Sequence, residues 1–300
     1  MIVFPTTVED AATSKVEFRA GGTDLQERRA LRIAGGDLVD LRDLRGLAGI
    51  AMHERELQIG AGARIQSIAD HAGVRAHFGG LAAAAGGLAT PQIRRVATLA
   101  GNLLQRPRCW YFRNPDVTCL KRGGSECLAR AGDHHYHACF DVGPCVAVHA
   151  STLGMALLAY DARVTVVGGE SLTIAELYGA GKDPTREHVL APGMLVTDIV
   201  VPRGRAGERS AYFRTIARAR AEWPLVEALV RIAVKEGAIE SAAVAVGAVA
   251  AIPLRLAKVE AALVGRAPEP AVLAAAAKQA SDGASPLPMT GYKLAMLEAT

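Results

Sequence analysis

The chain has 300 residues, 50% of them hydrophobic and 21% charged, which excludes wholesale disorder and a minimal scaffold and leaves room for about two domains of ~150 residues. Its 34 Lys and Arg against 30 Asp and Glu give a formal net charge of +4, too small an excess to mark a nucleic-acid-binding chain. The longest apolar region, Cys145 to Val167, contains His149, Asp161 and Arg163, so no membrane span is expected.

The first residues lack the basic start, apolar run and small-residue cleavage site of an export signal. From Val16 a short apolar strand runs into Gly21-Gly22-Thr23-Asp24 and then an amphipathic stretch with leucines at 25 and 31, the pattern of strand, glycine turn and helix. Residues 37–44 and 56–71 each read as a short alternating strand, the second leading into a helix, so the opening third is α+β. Residues 81–105 are rich in small side chains, and Pro91 and the Gly101-Asn102 pair are expected to break them into short helices with a close backbone approach nearby. Residues 106–145 keep neither a 3.6 nor a 2 period, and an irregular stretch of that length inside a domain needs an internal organiser. Regular structure resumes with a helix over 152–162 and strands at 163–167 and 194–202. Gly204 to Glu208 reads as a linker, which places a boundary near 205. Beyond it, residues 224–234 and 241–250 read as strands paired around Gly237, with helices at about 254–264 and 269–280.

Ala20 to Leu25 could cradle a pyrophosphate, because Gly21 and Gly22 leave backbone N–H groups unobstructed ahead of a helix start. A plain strand-to-helix turn explains the same residues equally well, since the spaced glycines and acidic residue of a dinucleotide fingerprint are missing. Residues 97–105 supply a second small-residue turn with Thr98 and Asn102, and two such loops favour a flavin or nucleotide. All five cysteines, Cys109, Cys119, Cys127, Cys139 and Cys145, fall within one short segment. Their odd number and the size of the chain disfavour disulfides. No C-x2-C pair supports a zinc ribbon, although His134, His135 and His137 leave a Cys/His zinc site open. An iron–sulfur cluster would organise the segment. Between Arg106 and Arg130 stand six basic residues and two acidic ones, which would balance the cluster's negative charge. Trp110, Tyr111 and Phe112 would shield it or serve as ordinary core.

Taken in order, AGGTDL, TPQIRRVATLAGNLLQ running into RCWYF, CVAVHAS, LLAYDARV and PGMLVTDIVVP resemble the FAD-binding medium subunit of molybdenum hydroxylases, the xanthine dehydrogenase and carbon monoxide dehydrogenase group. Within that group the sequence is most similar to the aldehyde oxidoreductase subunits that carry a [4Fe-4S] cluster besides FAD. The resemblance runs from about residue 16 to the end. It implies an α+β fold: a two-subdomain FAD-binding module over 1–205, divided at about 55 and carrying the iron–sulfur loop 106–145, then a small α/β domain over 206–300.

Carried over by position, the resemblance implies that Phe18, Arg19, Ala20, Gly21, Gly22, Thr23, Asp24 and Leu25 wrap the FAD pyrophosphate. Thr98, Leu99, Ala100, Gly101 and Asn102 would form the second flavin loop. Val196, beside Leu195, would pack near the isoalloxazine, and Arg214 stands where the family often has a flavin-contacting Lys. Cys109, Cys119, Cys127 and Cys145 match the cluster pattern, whereas Cys139 has no counterpart. Thr152 replaces the family's Asp, and restoring that Asp is expected to leave FAD affinity unchanged or raise it.

The function so implied is an oxidoreductase subunit without a general acid or base of its own. It would take electrons from a small [2Fe-2S] subunit and a large molybdenum-cofactor subunit and pass them to NAD, oxygen, a quinone or a ferredoxin. A partner is expected to dock where Arg106, Arg108, Arg113, Lys121 and Arg122 concentrate positive charge. The location expected is cytoplasmic, with periplasmic export beside a signal-bearing partner as the alternative. The rival readings are a stand-alone flavin oxidase and a zinc-binding interaction module.

Overall fold

A computed structural model describes all of residues 1–300. Three strands, β1 (Ile2–Val3), β2 (Glu17–Arg19) and β3 (Leu38–Asp40), form a parallel sheet in the order β1-β3-β2. Only residues 38–40 of the expected 37–44 strand are extended, and all three are buried. That burial is what a central parallel strand requires, in place of alternation.

The next five strands build an antiparallel sheet in the order β4-β5-β8-β6-β7: β4 (Ile50–Met52), β5 (Glu56–Gly60), β6 (Arg163–Val166), β7 (Ser171–Thr173) and β8 (Val196–Pro202). Leu57 and Ile59 of β5 and Ile199 and Val201 of β8 enter the largest core with the helix Thr152–Ala159, every residue of which is buried. Its lack of a polar face follows from its packing against other elements all round.

The chain then makes a four-stranded antiparallel sheet, β12-β11-β10-β9, from β9 (Arg209–Thr215), β10 (Val226–Lys235), β11 (Ala238–Gly247) and β12 (Leu254–Arg255). Glu236 and Gly237 both have positive φ, 52° and 82°, as a two-residue hairpin turn between β10 and β11 demands. Helices Ala257–Leu263, Pro270–Ala277 and Tyr292–Ala299 follow, and a second core holds this sheet and its helices together with Cys139 and Phe140.

Pro91 opens the helix Pro91–Val96, as its fixed φ permits at a first turn. The Gly101-Asn102 pair does not break a helix. It lies inside Leu99–Leu103, where the Thr98 hydroxyl caps the N-terminus by accepting from the Gly101 N–H at 3.2 Å. Residues 106–145 contain one short helix, Trp110–Arg113, and two 3-10 turns at Leu120–Arg122 and Leu128–Arg130, and their Ala129 and Ala138 form a small core with Val146.

Candidate functional site: a two-lobed cavity beside a four-cysteine pocket

The turn after β2 runs against the segment preceding the Leu99–Leu103 helix. A Cβ on Gly21 would lie 2.2 Å from the Val96 carbonyl oxygen, so only glycine allows the two loops to touch. Gly22 has φ +72°, a conformation glycine adopts without strain. Where the loops meet they wall a cavity of about 450 Å³, within the range of small-molecule sites. Phe18 through Leu25 line it, with Thr98, Ala100, Gly101, Leu195 and Val196. A second lobe of about 240 Å³ shares Thr23, Asp24, Gly101 and Gln105 with the first and is walled by Asn102, Arg108, Thr152, Arg214 and Trp223.

The two lobes differ in character. Leu41, Leu44, Leu47 and Met194 give the first an apolar wall, and Arg42, Arg45 and Arg64 stand around it. Of these only Met194 falls in a quoted motif; the leucines at 41, 44 and 47 offer no signal beyond their recurrence in a loop just after a strand. In the second lobe the guanidinium of Arg214 is held by the Gly87 and Glu222 carbonyls, and its Nε is buried without a partner. Arg108 stacks 4.9 Å over the Trp223 ring. Val196, expected near the isoalloxazine, and Arg214, expected as a flavin contact, thus stand in different lobes. Leu99 lines neither, because its side chain is sealed in the core.

Cys109, Cys119, Cys127 and Cys145 line one pocket with Tyr111, Phe112 and Leu120. Cys139 does not; it is fully buried in the C-terminal core, with its N–H bonded to the Val249 carbonyl. The Cys145 hydrogen bond draws the Cys127 thiol down to about 5 against the effect of burial, helped by the N–H groups of Val146, Ala129 and Arg130. The same contact, with burial, pushes Cys145 up. Burial raises Cys109 to about 11, although the N–H groups of Phe112 and Tyr111 face it. No three His, Cys, Asp or Glu side chains converge as the ligands of one ion would. The histidines do not make the zinc site left open by the sequence. His134 Nδ1 lies 2.8 and 2.9 Å from two backbone carbonyls while its Nε2 accepts from Met289 N, and His135 is exposed and stacked on Tyr292. His137 Nε2 lies 3.2 Å from Cys109 Sγ.

The basic residues of the cysteine segment do not form a free docking face. Arg108 and Arg113 pair with Asp24 and Glu27, Arg106 and Lys121 pair with Glu187, and Arg122 reaches the Phe112 and Val117 carbonyls. The carboxylate partners were invisible in the sequence because each is far away along the chain.

A glycine-walled two-lobed cavity, its second lobe walled by residues from both parts of the chain, has the size and lining of a cofactor site. Residues 2–204 match the family model described as the FAD binding domain in molybdopterin dehydrogenase, and residues 211–294 match the CO dehydrogenase flavoprotein C-terminal domain. The chain belongs to this family of FAD-binding oxidoreductase subunits. It is 36% identical over 248 residues to the aldehyde oxidoreductase FAD-binding subunit PaoB of Escherichia coli strain K12, a match covering 80% of this chain and 76% of that one. Among solved structures it superposes with TM-score 0.77 and 22% identity on a chain of the carbon monoxide dehydrogenase from Hydrogenophaga pseudoflava that lacks the Mo-pyranopterin moiety, over 99% of this chain and 93% of that. A chain of quinoline 2-oxidoreductase from Pseudomonas putida 86 gives 0.76 and 18%, over 99% and 92%. No helix is long and apolar enough to cross a membrane.

Proposed function

We propose that the chain is the FAD-carrying electron-transfer subunit of a heteromeric molybdenum hydroxylase. In this reading a small [2Fe-2S] subunit and a large molybdenum-cofactor subunit supply its electrons, and an external acceptor removes them. The observation that carries the reading is the pair of adjoining lobes, which share Thr23, Asp24, Gly101 and Gln105 beside the point where Gly21 permits backbone to meet backbone. An extended dinucleotide fits that shape, with its pyrophosphate at residues 20–25 and 98–102. The apolar lobe, with Leu195 and Val196, suits the adenine. The second lobe suits the isoalloxazine, because Arg214 offers a cation to a ring that gains negative charge on reduction. FAD would supply the two-electron redox chemistry; the protein positions it and sets its electrostatics.

Four cysteines around one apolar pocket, with backbone N–H groups facing Cys109 and Cys127, support a [4Fe-4S] cluster on Cys109, Cys119, Cys127 and Cys145. Its ligands sit on separate irons, so they need not converge as around one ion. Residues 145–150 lead from Cys145 in this pocket to Ala150 in the wall of the second lobe. Five residues span at most about 18 Å, so the two sites are close. The cytoplasm is the compartment proposed, with export beside a signal-bearing partner as the alternative. The boundary of the two domains is proposed at about 205, between β8 and β9.

The visible spectrum of the purified chain tests the whole reading. Flavin bands with a broad iron–sulfur shoulder are expected, flavin bands alone would overturn the cluster, and no colour would overturn both. Oxidation of aldehydes or purines by the isolated chain with an artificial acceptor would overturn its role as a subunit.

A further inference from the structure

Glu227 is a buried carboxylate that lines neither lobe. It is 2% exposed, and its oxygens meet only two hydroxyls: Thr152 Oγ1 at 2.9 and 3.2 Å from Oε2 and Oε1, and the Tyr212 hydroxyl at 2.8 Å from Oε2. The sheet builds this place. On β10, Glu227 stands opposite Arg214 of β9 and Gly247 of β11, and Tyr212, two residues from Arg214, shares the same face. A Cβ on Gly247 would come within 2.6 Å of Glu227 Oε1, so glycine leaves room for the carboxylate. Thr152, the first residue of the helix Thr152–Ala159, stands between Glu227 and the second lobe, whose wall it forms with Arg214.

A hydroxyl has one proton to give and lone pairs to accept with. When Glu227 is ionised, Thr152 donates to it and turns only a lone pair toward the lobe. When Glu227 is protonated, it can donate to Thr152, which frees the threonine proton for the lobe. The Tyr212 hydroxyl donates to Glu227 in either state. We propose that Glu227 is a positioning residue whose proton decides whether the Thr152 hydroxyl presents an acceptor or a donor to the ligand in the second lobe. This rests on the isoalloxazine lying there, since the ring gains N–H donors on reduction and its needs at that wall change with redox state.

Burial raises the Glu227 carboxyl above its ordinary range, against the Tyr212 and Thr152 hydrogen bonds and the charge of Arg214. The titratable and charged groups facing it are Tyr212 and Arg214, both on β9. The helix brings Thr152, and β11 brings Gly247 with no side chain. Burial and the neighbouring Glu227 push the Tyr212 phenol up, which keeps it a donor.

The test is the reduction potential of the bound flavin against pH in wild type, Thr152→Ser, Thr152→Val and Glu227→Gln. Wild type and Thr152→Ser should share a bend in the curve, and Thr152→Val and Glu227→Gln should lack it. Should Glu227→Gln fail to fold, the Thr152→Val and Thr152→Ser pair decides the matter with the carboxylate in place. A wild-type bend retained in Thr152→Val, or no bend in flavin-loaded wild type, would overturn the role alone. A wild type that binds no FAD overturns the flavin reading and this role with it.

Discussion

Arg113, in the cysteine segment, donates to Asp24 Oδ1 at 2.5 Å, so one carboxylate at the glycine turn ties together the two proposed cofactor sites. Asp24 also receives Arg28 Nε at 2.8 Å and lies 3.2 Å from Arg108, and it lines both lobes. Segments some ninety positions apart are thus held in register by a group that lines both lobes of the cavity.

Burial pushes the Asp24 carboxyl up, but the Arg113 hydrogen bond and the charges of Arg108, Arg113 and Arg28 outweigh it and leave it below its ordinary value. A depressed folded-state value means the stabilisation is fully present above the unfolded carboxylate pKa of about 3.9 and is lost as pH falls through the folded value. Asp24→Asn strands buried guanidinium groups and should cost about 3 kcal/mol. Thermal melts from neutral to acid pH check both statements: the variant should start lower and lose less on acidification. Equal acid sensitivity in the two proteins would contradict the assignment.

Reversing charge at Arg113 separates an internal tie from a docking contact. Because its side chain is 9% exposed and paired with Asp24 and Glu27, Arg113→Glu should lower the melting temperature and FAD content. The salt dependence of partner assembly, measured on the folded fraction, should not change. Assembly that weakened and became salt-sensitive while the melting temperature held would restore the docking role.

The two glycines of the turn should respond differently. Gly21→Ala drives a Cβ into the Val96 carbonyl, so the loops must part and FAD content should fall steeply. At Gly22 the nearest atoms, in Arg19 and Gln26, are 3.3 Å away and belong to flexible side chains. Gly22→Ala therefore carries mainly the left-handed backbone penalty of about 1–2 kcal/mol, seen as a lower melting temperature with much of the flavin retained. Full flavin in Gly21→Ala would refute the close approach.

Strand and helix positions were legible wherever a period survived, as in Leu57 and Ile59 or the hairpin at Gly237. The Thr98 cap was harder to read, because a hydroxyl holding a helix start overrides the turn tendency of Gly101-Asn102. The two loops that wall the cavity were legible as close-approach turns from their glycines, but the Leu44–Leu47 wall was not, since apolar loop residues have no period. Least legible were the partners of the arginines. Composition shows the positive charge of residues 106–130, while only the fold shows Asp24, Glu27 and Glu187 absorbing it.

For the cysteines, iron content after single substitution is the direct measure. Cys109→Ser, Cys119→Ser, Cys127→Ser and Cys145→Ser should each lose most of about four irons per chain. Cys139→Ser should keep them, because its side chain is packed in the C-terminal core away from the other four. Iron loss in Cys139→Ser with a wild-type melting temperature would make it a ligand. Zinc in place of iron, in chains expressed with ample iron, would refute the cluster.

Thr152→Asp reverses an expectation drawn from the resemblance. An Asp at this position was expected to leave FAD affinity unchanged or raise it, yet the Thr152 hydroxyl lies 2.9 Å from Glu227 Oε2 in a buried place. An added carboxylate would meet an existing one, and two acids sharing a site cannot both ionise without strong repulsion. FAD should dissociate about tenfold faster from Thr152→Asp than from wild type. Removing the older charge should relieve the conflict, so Thr152→Asp/Glu227→Gln should return to within about threefold of wild type, a coupling typical of residues in contact. Flavin release followed by fluorescence measures all four corners of the cycle. If the two substitutions act independently, or Thr152→Asp alone binds FAD more tightly, then Glu227 does not occupy the place that the family's Asp would claim.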